Sequence, residues 1–178
     1  MATWATRGLR GSLLEDMINR TNEQYRQAGL ALIQKIPTPI KPLKMGNIPG
    51  QISLAYFEQK STVDYIGVVQ GIPVCFDAKE VKGEKFSLQN IHQHQYEFMN
   101  EFEMQGGVSF LLTYFYKYDE IIYIRFKDIK KFIERAKVGG RKSIKHDELD
   151  LNFTLSARAN YLVHYLEMLN KDIGGRNE

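Results

Sequence analysis

A chain of 178 residues, 43% apolar and 12% aromatic, is long enough to bury its own core, which excludes a disordered polypeptide and sets the expectation of one domain. Its one cysteine excludes a disulfide framework, and no CxxC or HxxxH spacing points to zinc. The net charge of +3 is too small for general basic character, so a polyanion would have to be met by local patches.

The segment Met1-Ala-Thr-Trp-Ala-Thr-Arg7 has no apolar signal core, and the longest apolar run, around Phe110 to Tyr116, is too short to span a bilayer. A cytoplasmic protein without membrane contact is the expectation. Gly11-Ser12-Leu-Leu-Glu15 reads as a capping box. It opens a helix whose buried stripe is Leu14, Ile18, Thr21, Tyr25 and Ala28, with Glu15, Asn19 and Asn22 on its polar flank and a stop at Gly29. A short strand, Leu30 to Ile36, follows. Pro37, Pro39, Pro42 and Pro49, with Gly46 and Gly50, are expected to interrupt all regular structure until a strand resumes over Ile52 to Glu58. Beyond the next hairpin, Ser87 is expected to cap a helix with the stripe Leu88, Ile91, Phe98 and Phe102. Strands are predicted over Val108 to Tyr116 and Ile121 to Phe126, and helices over Ile129 to Ala136 and Ala157 to Leu169. His92 and His94, read on one helix, point to different sides and share no metal. No internal repeat or domain linker is visible.

The hairpin carries the chemistry. Thr62 to Val69 and Ile72 to Glu80 are β-rich and joined by Gln70-Gly71, a two-residue turn. Pairing Val69 with Ile72 sets Val68 against Pro73, Ile66 against Cys75, Asp64 against Asp77 and Thr62 against Lys79. Alternation then brings Thr62, Asp64, Asp77 and Lys79 out on one face, which Ile66, Val68 and Cys75 mark as covered. Two facing carboxylates repel, more so out of water, so a cation is expected between them. Mg²⁺ or Mn²⁺ suits hard oxygen donors, and Lys79 adds an ammonium that can orient a nucleophile or stabilise charge on a phosphate. The bland reading is an Asp77–Lys79 ion pair on a solvated sheet. Gln95 interrupts the apolar stripe of its helix, where an amide needs partners, and is expected to point toward the acids. Thr62 is expected to contact a phosphate or the metal's water, although an ordinary strand threonine accounts for it nearly as well. Glu15 is equally well explained by helix capping.

Asp64 followed one strand later by Asp77-Ala78-Lys79 resembles the D…(D/E)xK signature of restriction-endonuclease-like nucleases. Its setting is more specific: Arg10-Gly-Ser-Leu-Leu-Glu15, Lys35-Ile-Pro-Thr-Pro39, Ala55-Tyr-Phe57, Asp77-Ala-Lys-Glu80, Phe86-Ser-Leu-Gln-Asn90, His94-Gln95 and Gly140-Arg-Lys-Ser-Ile144. Together these resemble the RecU-type Holliday junction resolvases of Gram-positive bacteria, over roughly 7 to 170. Two departures stand out: Val63 precedes Asp64 where the general signature has Pro, and the longer basic arm of some members is missing, which is expected to weaken DNA binding.

The resemblance implies an α/β fold with a restriction-endonuclease-like core, a mixed central sheet flanked by helices, and a protruding stalk at about 37–58 within a single nuclease domain. It implies a Mg²⁺-dependent endonuclease that resolves four-way junction DNA in recombination and repair, with Mn²⁺ as a substitute. Asp64, Asp77, Thr62 and Gln95 would surround the metal, Lys79 would assist the reaction, and Glu15 would be a further active-site carboxylate. DNA contacts are expected from Arg10, Lys41, Lys44, Tyr56, Phe57, Arg141 and Lys142, beside the basic residues Lys35, Lys60 and Lys145. Paired cuts imply a homodimer, and the resemblance extends to an association with the RecA recombinase. The rival readings are another nuclease of the same fold and a non-catalytic DNA-binding or recombinase-modulating protein.

Overall fold

The computed structural model describes residues 12–49, 51–57, 62–155 and 161–176. Helix α1 (Leu13–Gln27) starts where Ser12 accepts a hydrogen bond from Glu15 N at 3.1 Å, and the chain turns away at Gly29 with φ +66°. Leu14, Ile18, Thr21 and Tyr25 are buried as the periodicity predicts. Asn22 is buried too, against expectation, because its side-chain oxygen accepts from the Tyr165 hydroxyl.

A five-stranded sheet forms the centre, in the order β1 (Leu32–Lys35), β4 (Tyr65–Val69), β5 (Ile72–Val81), β7 (Val108–Phe115), β8 (Glu120–Arg125). Neighbours are antiparallel except β5 and β7, which run parallel. That pairing requires a crossover, and the segment that crosses over carries helix α2 (Gln93–Met104). The Gln70-Gly71 turn has both residues at positive φ, 48° and 89°, as a two-residue hairpin demands.

Even-numbered residues of β5 and β7 join α1 and helix α4 (Leu166–Gly174) in one core, where Tyr65, Phe76, Phe110 and Tyr123 stack ring on ring across four strands at 4.3–4.7 Å. Odd-numbered residues face α2 and helix α3 (Phe126–Lys137), in a second core containing Cys75, Val81, Met99, Leu111, Phe115, Phe126 and Ile129. The mixed α/β architecture with a helix-flanked central sheet is therefore present. The hairpin register is as read, from Val69↔Ile72 to Ile66↔Cys75.

The proline-rich segment departs from expectation. A strand β2 (Ile40–Met45) forms there and pairs with β3 (Ile52–Phe57) as a two-stranded ribbon outside the main sheet. Both strands of such a ribbon are edges, and the register shifts at Pro42/Lys44 absorb the proline. Ser87 caps only a 3₁₀ turn, Leu88–Asn90, after which α2 begins afresh at Gln93. The cause is tertiary: β6 (Lys85–Ser87) pairs with β9 (Ser143–Lys145), and Leu88 N donates to the Lys142 carbonyl at 3.1 Å. The last helix begins at Leu166, not 157. Tyr161 and His164 precede it in irregular chain, their rings 5.0 and 5.8 Å from that of Tyr25, and 156–160 lie outside the described residues. Val68 is 45% exposed, beyond the cover expected of its face.

Candidate active site on strands β4 and β5

Asp64 and Asp77 meet at the end of the hairpin away from its turn. Asp64 N donates to Asp77 Oδ1 at 2.8 Å, and Ala78 N donates to Asp64 Oδ2 at 2.9 Å, so each carboxylate is held by the other strand's backbone. Asp77 is 1% exposed. Lys79 Nζ lies 2.6 Å from Asp77 Oδ2, and its side chain is only 17% exposed, so this ion pair is not the solvated surface contact of the bland reading. Beyond this ion pair, Asp77 Oδ2 has no hydrogen-bond partner among the described residues. Burial, then the charge of Asp77, raises the Asp64 carboxyl from 3.8 to about 6.

This arrangement fits a hard divalent cation. A buried carboxylate balanced by a single ammonium, beside a second carboxylate whose charged form is disfavoured, gains from a dication. Mg²⁺ typically takes one or two carboxylates and completes its shell with waters and substrate phosphate. Among the described residues no three His, Cys, Asp or Glu side chains form a group that could hold a metal ion.

The other expected site residues divide. Gln95 is 6% exposed, and its Oε1 accepts from Lys79 Nζ at 3.4 Å and from His92 N at 3.2 Å, so it points toward the acids through Lys79. Glu15 takes a different partner, Lys35, whose Nζ is 2.5 Å from its Oε2. Lys35 is thereby occupied as well. Thr62 falls in a bend before β4, whose ladder starts at Tyr65, and so does not pair with Lys79 as read. The cause is that Asp64 spends its backbone N–H on Asp77 and its carbonyl on Ile36 N, which ends the β4–β5 ladder. His92 and His94 are not on opposite sides of a helix. His92 precedes the first turn of α2, and their rings stack 5.5 Å apart.

Two residues escaped the sequence reading. Glu80 Oε1 accepts from Leu14 N at 2.9 Å, fixing the start of α1, and with it Glu15, to the strand of Asp77 and Lys79. Thr113 on β7 lies beside Lys79 in register, fully buried, its hydroxyl without a partner among the described residues. The alternation of β7 placed Thr113 on one face or the other; only the parallel pairing, which a sequence does not disclose, sets it next to Lys79.

Of the expected DNA contacts, Lys41 pairs across the ribbon with Tyr56, and both are exposed, as is Lys44. Arg141 is bound to Glu148 at 2.6 Å, while the Lys142 side chain is exposed. Arg10, Lys60 and the side chain of Phe57 lie outside the described residues.

The family model described as recombination protein U matches residues 9–171. The chain belongs to this family. A Holliday junction resolvase RecU from Pediococcus pentosaceus is 37% identical over 171 residues, 93% of this chain and 85% of its own. One from Bacillus pumilus is 41% identical over 144 residues, 79% and 69% of the two chains. Among solved structures, Hjc of Archaeoglobus fulgidus, a Holliday junction resolvase, covers 75% of this chain and 89% of its own at a TM-score of 0.44 and 7% identity, a likeness that carries no argument about the site.

Proposed function

We propose that this RecU-family protein is a divalent-cation-dependent endonuclease, using Mg²⁺ with Mn²⁺ as an alternative, that resolves Holliday junctions in recombination and repair. The observation that carries the reading is the buried Asp77 carboxylate set against Asp64, with Lys79 Nζ 2.6 Å from its Oδ2. Family membership supports the substrate. Asp64 and Asp77 would hold the cation, which supplies Lewis acidity for phosphodiester hydrolysis when bound. Lys79, steadied by Gln95, stabilises charge developing on the scissile phosphate and orients the attacking water. Glu15 flanks the site from α1.

The β2–β3 ribbon would be the stalk, meeting the branch point with Lys41, Lys44, Tyr56 and Phe57, while Arg10 and Lys142 serve the duplex arms. Phosphate contacts of this kind position DNA without reading its sequence, and a branch is recognised by shape. Two symmetric cuts call for a homodimer. Family membership also supports contact with the RecA recombinase and a cytoplasmic setting; no helix among the described residues is long and apolar enough to cross a membrane.

The test is cleavage of a four-way junction, a linear duplex and a flapped duplex with Mg²⁺ and with EDTA. Mg²⁺-dependent paired cuts in the junction are expected. Equal cutting of all three substrates would make the protein another nuclease of this fold, and tight binding without cutting would make it a non-catalytic modulator.

A further inference from the structure

The face of β5 that carries Asp77 and Lys79 has a neighbouring column on β7. The two strands are parallel and in register, which sets Cys75 beside Ser109, Asp77 beside Leu111 and Lys79 beside Thr113. Lateral neighbours in a sheet point to the same face, and in this column they meet: Cys75 Sγ is 3.2 Å from Ser109 Oγ. Ser109 Oγ then donates to the Met99 carbonyl at 2.9 Å. Thr113 has no such outlet. Its Oγ1 is fully buried and has no partner among the described residues. A buried hydroxyl in that condition is destabilising, whereas valine would fill the same space without that cost.

On the same face, the close partner of Asp77 Oδ2 is the Lys79 ammonium, which rests against it at 2.6 Å. While the ammonium is there, that oxygen is closed to another cation, since two positive charges at contact distance repel strongly. An ammonium that moves away needs acceptors in reach. Gln95 Oε1, at 3.4 Å, is one, and an ammonium has three donors to satisfy.

We propose that Thr113 is a positioning residue for Lys79: when a divalent cation takes Asp77 Oδ2, Thr113 Oγ1 and Gln95 Oε1 receive the displaced ammonium and keep it at the site. This rests on the cation-dependent reading above. In the metal-free protein Lys79 is a placeholder for the cation, and the hydroxyl of Thr113 waits unpaired for the loaded state.

The test compares wild type, Thr113→Val and Thr113→Ser by thermal melting in EDTA, by melting through a titration of Mg²⁺ and of Mn²⁺, and by junction cleavage at saturating DNA. Thr113→Val is expected to melt above wild type in EDTA, to bind Mg²⁺ on the order of tenfold more weakly, and to lower kcat at unchanged KM. Thr113→Ser is expected to restore cation affinity and kcat. A Thr113→Val variant that binds Mg²⁺ and turns over like wild type overturns the proposal, and so does one that melts below wild type in EDTA, because the hydroxyl then has a structural partner. If wild type itself shows no shift with either cation, the cation-dependent reading fails along with it, a result distinct from failure of Thr113 alone.

Discussion

Asp64 titrates in an unusual direction for a site read as a metal ligand. Its carboxyl is raised to about 6, so the metal-free fold is favoured while the group is protonated: that contribution is complete below about 4 and is lost as the pH rises through 6. At pH 7.5 in EDTA the loss amounts to at most about 3 kcal/mol. Asp64→Asn should therefore melt above wild type at pH 7.5 and converge with it near pH 4, in paired melting curves. Asp64→Asn and Asp77→Asn should each abolish junction cleavage while junction binding in a mobility-shift assay is equal or tighter, since a charge that repels phosphate is gone. Near-normal cutting by either variant would remove the two-carboxylate site. Lys79→Ala should depress the cleavage rate with little change in affinity. It should also destabilise the metal-free protein by roughly 3 kcal/mol by leaving Asp77 unpaired, a loss that added Mg²⁺ largely reverses. The nearness of the acids and Lys79 was legible because a two-residue turn fixes the register by counting up to Tyr65, although Asp64 and Asp77 then meet through side-chain to backbone hydrogen bonds beyond the ladder. Thr62 was misread because that counting assumes the ladder runs past Tyr65, where the backbone of Asp64 has turned to side-chain and β1-end partners.

Gly67 on β4 leaves no room for a side chain beside β1. A Cβ built on Gly67 would lie 2.1 Å from the Leu32 carbonyl oxygen, a backbone atom that cannot swing aside. Gly67→Ala should push β1 outward, cost roughly 1–3 kcal/mol in chemical denaturation, and loosen the Lys35–Glu15 pair, which joins the strand to α1. The resulting loss of activity should be smaller than that of the aspartate variants, since no carboxylate or ammonium of the site is removed. Segments with clean periodicity, such as α1, β7 and α3, were readable from the chain. β6 and β9 were not: they are three residues each and pair with one another from far apart in the chain, while β2 was hidden by its proline. Where α2 begins likewise depends on the tie between Leu88 and Lys142 across 54 residues of chain.

The ribbon and the acids belong to separate sheets, so they can be altered independently. Replacing 41–51 with a short Gly/Ser linker removes Lys41 and Lys44 and leaves Asp64, Asp77 and Lys79 in place. The protein should still fold and bind Mg²⁺, while its preference for a junction over linear duplex collapses in competition binding at fixed salt. Selectivity that survives the deletion would move discrimination to the spacing of the two sites in a dimer. Fold class and family were legible because the motifs span nearly the whole sequence.

Strand β5 writes two messages in alternate letters. Val74, Phe76 and Ala78 belong to the aromatic core, and Cys75, Asp77 and Lys79 to the face of the acids. A substitution can therefore edit one message and spare the other. Inserting or deleting one residue between Val74 and Lys79 would exchange them beyond the change, delivering an aromatic ring to the site and a carboxylate to the core. Single substitutions on this strand can therefore be absorbed by one layer at a time, whereas a change of length between those positions is felt in both layers at once.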